Sequence, residues 1–172
     1  MPNHKLQVLR FEHLATDEQP FRFVDSGLPN VYLVGIRYFT YEDGRVVAEI
    51  PALKSLMKLI ARDLVERPDS LSGAEIRFLR KRLGKRAVDF ARELGIEAET
   101  LSRFENDKQE AGESLDKLIR LVYAVTSDDP ELVDKVRPTL DSLLAAWKSG
   151  PANVKIVKKI DNNEWTDVPK VA

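Results

Sequence analysis

IRFLRKRLGKRAVDFARELGIEAETLSRFE, residues 76–105, is the stretch from which the fold is read. It divides into three short helical segments with a glycine at each joint, Gly84 and Gly95. Ile76, Leu79 and Leu83 give the first segment a buried stripe. Val88, Ala91 and Leu94 do the same for the second, and Leu101 and Phe104 for the third. Gly95 suits the turn between the second and third segments, because a residue without Cβ takes positive φ at little cost. Two short helices joined this way have the proportions of a helix-turn-helix, whose main chemical use is to present one helix to the DNA major groove. The start of the unit is marked as well. Ser72-Gly73-Ala74-Glu75 has the form of a capping box, and Leu71 and Ile76 stand where a hydrophobic staple would close over it.

Upstream, the pattern changes to period two. Residues 5–12 and 21–24 are candidate strands, and VYLVGIRYFT (31–40) is rich in β-branched and aromatic residues. Asp43-Gly44 separates that run from VVAEI (46–50), a hairpin signal. Pro51 suits the first turn of a helix over 52–65. Leu53, Met57, Ile60 and Leu64 line one side of it, widened by Leu56 and Leu59, and Lys54, Lys58 and Arg62 make the wet face. Residues 66–69 read as a linker.

Downstream, residues 114–125 predict a fourth helix of the unit, with Leu115, Leu118, Ile119 and Val122 inward. Asp129-Pro130-Glu131 opens a fifth, along which Leu132, Val133, Val136, Leu140, Leu143, Leu144 and Trp147 continue the stripe. Pro138 is expected to kink or divide it. The tail carries two short runs around Asp161-Asn162-Asn163 that suggest a last hairpin, with Trp165 as its anchor. The expectation is an α+β chain. Residues 1–68 form a small antiparallel β domain with a connecting helix, 69–150 a five-helix all-α domain, and 151–172 a C-terminal extension.

Composition narrows the function classes. The chain has 172 residues, a net charge of -1, 43% hydrophobic residues and no cysteine, which excludes disulfides and thiolate metal sites. No apolar run is long enough to span a bilayer and no signal peptide opens the chain, so a cytoplasmic protein without membrane partners is expected. Charge is locally uneven. Arg77, Arg80, Lys81, Arg82, Lys85 and Arg86 cluster with no acid between residues 76 and 88. No convergent nucleophile, base or metal set is visible, and the expectation is a non-enzyme without cofactor.

Phe90-Ala91, Leu94-Gly95-Ile96 and the run Thr100-Leu101-Ser102-Arg103-Phe104-Glu105-Asn106 closely resemble, in register, the Xre/Cro type of helix-turn-helix. A wider similarity runs from Gly27-Leu28-Pro29-Asn30-Val31 through Ile50-Pro51 to Glu75-Ile76-Arg77-Phe78-Leu79-Arg80-Lys81. This resembles antitoxins of the MqsA kind, which join a small N-terminal domain to an Xre domain. Members of that family usually hold zinc with two Cys-x-x-Cys pairs. Here Thr40 and Asp43 stand where one such pair would be, and neither replaces a thiolate. With only His4 and His13 as imidazole ligands, no metal is expected. Tyr32, Ile36 and Tyr38, with Val46, Val47 and Ile50, are then expected to hold the sheet by apolar packing.

The resemblance implies residue roles. Ala98, Glu99, Thr100 and Arg103 occupy positions that meet bases, and Arg103 has the fork that bonds guanine O6 and N7 together. Glu99 reads either as an acceptor for a cytosine amine or as a carboxylate stabilised by the helix dipole. Lys85, Arg86, Asn106 and Lys108 are candidates for phosphate contact, whereas Ala87 lacks the donor that the family often has there. Arg80 is expected to pair with Glu105 and hold the domain together. Leu101 and Phe104 are core. The function implied is a sequence-specific repressor, a homodimer on an inverted-repeat operator in double-stranded DNA. It would be an antitoxin that also neutralises a toxin protein and regulates its own operon. The alternatives are a stand-alone regulator sensing a ligand or protein through its N-terminal domain, and a toxin-binding protein whose helix-turn-helix no longer binds DNA.

Overall fold

The computed structural model describes residues 9–148, 158–161 and 164–167. The expected α+β organisation is the one observed, a small antiparallel sheet followed by helices. Strands β1 (Arg10–Leu14), β4 (Arg37–Tyr41) and β5 (Val46–Glu49) form a sheet of order β1-β4-β5, and β2 (Phe21–Arg22) pairs with β3 (Tyr32–Leu33). Helices α1 (Leu53–Glu66), α2 (Gly73–Arg82), α3 (Ala87–Glu93), α4 (Ala98–Glu105), α5 (Glu113–Thr126) and α6 (Pro130–Lys148) follow. The chain falls into two compact units, Met1–Val136 and Arg137–Ala172.

In the first unit, β4 and β5 are antiparallel, with Thr40 opposite Val46 and Arg37 opposite Glu49. The Asp43-Gly44 turn joins them as expected, with Gly44 at φ 82°. The single strand expected over 31–40 is instead broken at Gly35 (φ 73°) into β3 and β4, which belong to different sheets. The strand expected over 21–24 shortens to Phe21–Arg22 and passes into a 3₁₀ turn over Val24–Ser26. There Ser26 Oγ donates to the Phe23 carbonyl at 2.7 Å and accepts from Leu28 N–H at 3.2 Å, which orders the Gly27-Leu28-Pro29 turn. Of the strand expected over 5–12, residues 5–8 lie outside the described residues.

The sheet is held as expected only in part. Ile36 is buried and Tyr38 and Ile50 are partly buried, but Tyr32, Val46 and Val47 stay about half exposed (55%, 54% and 47%), and Ala15, Phe23 and Phe39 are buried instead. β5 is an edge strand of a three-stranded sheet, so its alternating side chains have neighbours on one side only. Side-chain networks contribute on both faces. His13 stacks on Tyr38 with ring centroids 4.8 Å apart and shares a 2.9 Å hydrogen bond with Thr40. On the other face Arg10 lies over the Phe39 ring and Arg37 pairs with Glu49 at 2.9 Å. Thr40 and Asp43, the two residues in the place of thiolates, are thus engaged by His13 and by Arg45.

The helices share one core. Ile76, Phe78, Leu79, Phe90, Ala91, Leu94, Leu101, Phe104, Ile119, Tyr123, Ala124 and Leu132 are buried together with Ala61, Leu64 and Val65 of α1 and with Leu28. Some expected core positions are exposed. Val88 is 54% exposed, because α3 buries the 87–90–91–94 stripe and Val88 lies about 100° from it. Leu59 sits off the face of α1 that carries Met57, Ile60, Ala61 and Leu64, and Leu53 lies at the helix start beyond what that face covers. Arg62, expected on the wet face, is largely covered and donates to Asp129 through two 2.5 Å bonds. Those hydrogen bonds hold the Asp129 carboxyl below its ordinary range. Val133 is exposed rather than part of the stripe. Leu83 is only partly buried.

The segment after α1, expected as a linker, is clamped. Arg120, buried on α5, donates to the carbonyls of Leu64, Val65, Arg67 and Asp69 at 2.5–3.2 Å. α6 continues as helix past Pro138, so the proline does not divide it. In the second unit β6 (Lys158–Asp161) and β7 (Glu164–Asp167) make the expected tail hairpin as a two-stranded sheet, with Ile160 opposite Trp165. The side chains of Val136, Leu140, Leu143, Leu144, Trp147 and Trp165 lie outside the described residues. Among the described residues no helix is long and apolar enough to cross a membrane.

Candidate nucleic-acid interface

α3 and α4 are two short amphipathic helices joined through Leu94-Gly95-Ile96-Glu97, with Gly95 at φ 68°. Ile96 N–H bonds the Ala91 carbonyl at 3.0 Å, which closes the end of α3 and turns the chain toward α4. Phe90 and Ala91 on α3 and Leu101 and Phe104 on α4 meet in the core, so the opposite side of α4 remains outward.

α2 fixes α4 from behind. Arg80 donates to both oxygens of Glu105, at 2.5 and 2.8 Å, and to the Lys85 carbonyl at 2.9 Å. Both side chains are nearly covered, at 12% and 6% exposed. Hydrogen bonding to Glu105 raises the already high pKa of Arg80, against the opposing effect of burial. Arg77 adds bonds to the Glu105 carbonyl at 2.6 Å and to Asn106 Oδ1 at 2.8 Å. At the start of α2 the capping box is present, with Glu75 accepting from Ser72 N–H at 2.8 Å. Gly73 N–H donates to Asp107 Oδ1 at 2.7 Å, and a Cβ on Gly73 would lie 2.2 Å from the Phe104 carbonyl oxygen. Only glycine permits this approach of α2 to the end of α4. The sequence pattern did not reveal Arg77, Gly73 and Asp107 as positioning residues. The nearest available signal was the glycine inside a capping box, where most side chains fit.

Of the residues expected at bases, Glu99 is 79% and Arg103 55% exposed, and Arg103 Nη2 donates to Glu99 Oε1 at 2.9 Å. Thr100 is half-buried, and Ala98 packs partly against the core. The residues expected at phosphates separate. Arg86 is open to solvent but closes on Asp89 at 2.6 and 3.1 Å, and these hydrogen bonds hold the Asp89 carboxyl below its ordinary range. Lys85 is mostly covered and pairs with Glu93 at 2.5 Å. Asn106 donates to the Ser102 carbonyl at 2.7 Å and accepts from Arg77, so it caps the end of α4. Lys108 is exposed beside it.

The arrangement offers an exposed helix on a braced scaffold, with its cations matched by local acids. No protein-family model, curated protein or solved structure matches the chain.

Proposed function

We propose that the protein is a sequence-specific, dimeric DNA-binding repressor that works in the cytoplasm as an antitoxin regulating its own operon. The observation that supports the reading is the bracing of α4. Its Glu99 and Arg103 face outward and Thr100 is half exposed between them, while Arg80, Arg77 and Gly73 fix its far end to α2. A recognition helix must be held in this way, because base contacts specify only when the helix enters the groove in one register. Arg103 reads base edges, and Arg86 and Lys108 contact phosphates. A single helix-turn-helix covers few base pairs, so a two-fold dimer on an inverted repeat follows. Exposed Val125 on α5 and Val133 on α6 fit the view that these helices supply the dimer surface. The antitoxin role rests on the sequence resemblance alone.

The test is binding to the DNA upstream of the protein's own gene at two salt concentrations, with Arg103→Ala beside the wild type. Specific, salt-dependent binding that the variant loses supports the proposal. Equal, weak binding to any duplex overturns it.

One observation favours a second reading, a toxin-binding protein whose helix-turn-helix is not used on DNA. Arg103, Arg86 and Lys85 are each paired with a carboxylate of their own domain. The same titration decides between the two.

A further inference from the structure

Glu99 is the least expected residue on a surface meant for a polyanion. It lies in the first turn of α4, where the helix dipole favours a carboxylate, but its side chain also reaches along the helix to Arg103. Arg103 Nη2 donates to Glu99 Oε1 at 2.9 Å, and no other acceptor for this guanidinium occurs among the described residues. The bond uses one of five donors. The Nε–H, both Nη1 hydrogens and the second Nη2 hydrogen remain, enough for a pair of bonds to guanine O6 and N7.

We infer that Glu99 is a positioning residue for Arg103: it fixes the guanidinium as an oriented fork for guanine and lowers affinity for DNA that lacks that guanine. The inference rests on the DNA-binding reading above. On the free protein the pair is exposed and weak. In a groove that excludes water the same hydrogen bond strengthens, because the effective dielectric falls. An arginine without a buttress has many rotamers and bonds phosphates as readily as bases. With one rotamer favoured, the fork is aimed at base edges. The carboxylate also repels every phosphate it approaches, on any sequence. On the correct site the oriented fork offsets that repulsion, and on other sequences nothing does. Both effects widen the ratio of specific to non-specific binding, which is the quantity a regulator needs among an excess of competing sites.

This predicts an unusual signature for removing an acid from a DNA-facing helix. Affinity for random duplex rises while discrimination falls. Glu99→Gln separates the two effects, since the amide keeps an acceptor for Arg103 but loses the charge.

The experiment is selection from a randomised duplex library by the full chain, followed by titration of the selected duplex and of a scrambled duplex. The proteins are wild type, Glu99→Ala, Glu99→Gln, Arg103→Ala and Arg103→Lys, each checked by circular dichroism and thermal melting. Arg103→Ala is expected to lose preference at one guanine. Glu99→Ala is expected to lose preference at the same guanine, by roughly fivefold to a hundredfold, while binding the scrambled duplex more tightly than wild type does. Glu99→Gln keeps most of the preference, and Arg103→Lys does not. If Glu99→Ala retains the guanine preference, the inference is overturned. It is equally overturned if the loss falls at a separate cytosine, since Glu99 would then read a base itself. If the wild type selects no sequence, the DNA-binding reading fails and the inference with it, an outcome distinct from the other two.

Discussion

Asp116 accepts Arg120 Nε at 2.6 Å within α5 and also accepts Leu71 N–H at 2.7 Å, so one carboxylate orients the arginine and caps the entry to α2. Arg120 in turn satisfies four main-chain carbonyls between Leu64 and Asp69. A buried guanidinium with this many acceptors is a structural node. Replacing it with methionine leaves Asp116 with only the Leu71 N–H and removes the side-chain donor from the four carbonyls in a nearly dry site. Arg120→Met is expected to cost about 3–5 kcal/mol, the usual penalty for breaking a buried charged network from one side. Urea denaturation measures it. A loss below about 1 kcal/mol, the scale of an exposed pair, would show that the network is dispensable.

Arg80 on α2 and Arg103 on α4 are expected to behave oppositely. Arg80→Ala leaves Glu105, which is 6% exposed, with only a 3.4 Å bond from Arg77, and should lower the thermal midpoint substantially. Arg103→Ala breaks only an exposed pair and should leave the midpoint almost unchanged. Differential scanning calorimetry on the two variants separates fold from function here.

Gly73→Ala introduces a Cβ within 2.2 Å of a backbone oxygen that cannot rotate away. α2 must then move off the end of α4. A loss of roughly 1–3 kcal/mol is expected, as for other overpacked sites, even though alanine is the better helix former. Gly73→Ala that proved as stable as wild type would show that the two helices are not so tightly set.

Asp129 supplies an acid-side prediction. Its pKa is held below the ordinary value of 3.8 by the hydrogen bonds from Arg62. A depressed folded-state pKa contributes stability that is complete above the unfolded value and lost as pH falls through the folded one. Wild type should therefore lose stability below about pH 4 more steeply than Asp129→Asn, whose curve should be flatter there. Melting temperatures across pH 2–6 check the sign. Parallel curves would show that the Arg62 pair adds nothing.

On the proposed DNA-binding function, phosphate contacts can be counted through salt. Arg86 is open to solvent but bound to Asp89. Arg86→Ala should reduce the slope of log affinity against log salt by about one, without changing sequence preference. Asp89→Asn frees the arginine and should strengthen binding at low salt. No change in slope would remove Arg86 from the interface.

Much of the helical half was legible in the sequence because its signals are local. The capping box at Ser72, the glycines at 84 and 95 and the i, i+3, i+4 apolar spacing each act within a turn or two, and they place α2, α3 and α4 to within a residue or two. The Arg80–Glu105 pair came from resemblance rather than spacing. What stayed illegible depends on distant neighbours. Val88 has the composition of a core residue, but its azimuth on a two-turn helix leaves it in solvent. Gly35 looked like one residue of a long strand, yet its positive φ splits that strand between two sheets. Arg120 carries no reading in the sequence, although Asp116 four residues earlier was an available clue to its pairing. At the candidate interface, sequence offered cations but could not show that nearby acids already hold three of them.

Leu28 belongs to a turn in the N-terminal segment, but its side chain is 3% exposed within the core formed by the helices. That core is therefore incomplete until a residue of the N-terminal segment joins a cluster that extends to Leu132 of α6. α2 to α4 can form from local contacts, whereas seating the Leu28 turn in the same core closes a longer loop. Amides of α1 and of the Gly27-Leu28 turn should then exchange with solvent at the same rate as those of α2. A protease that cuts near Pro29 would unlock the whole helical unit and release no stable half.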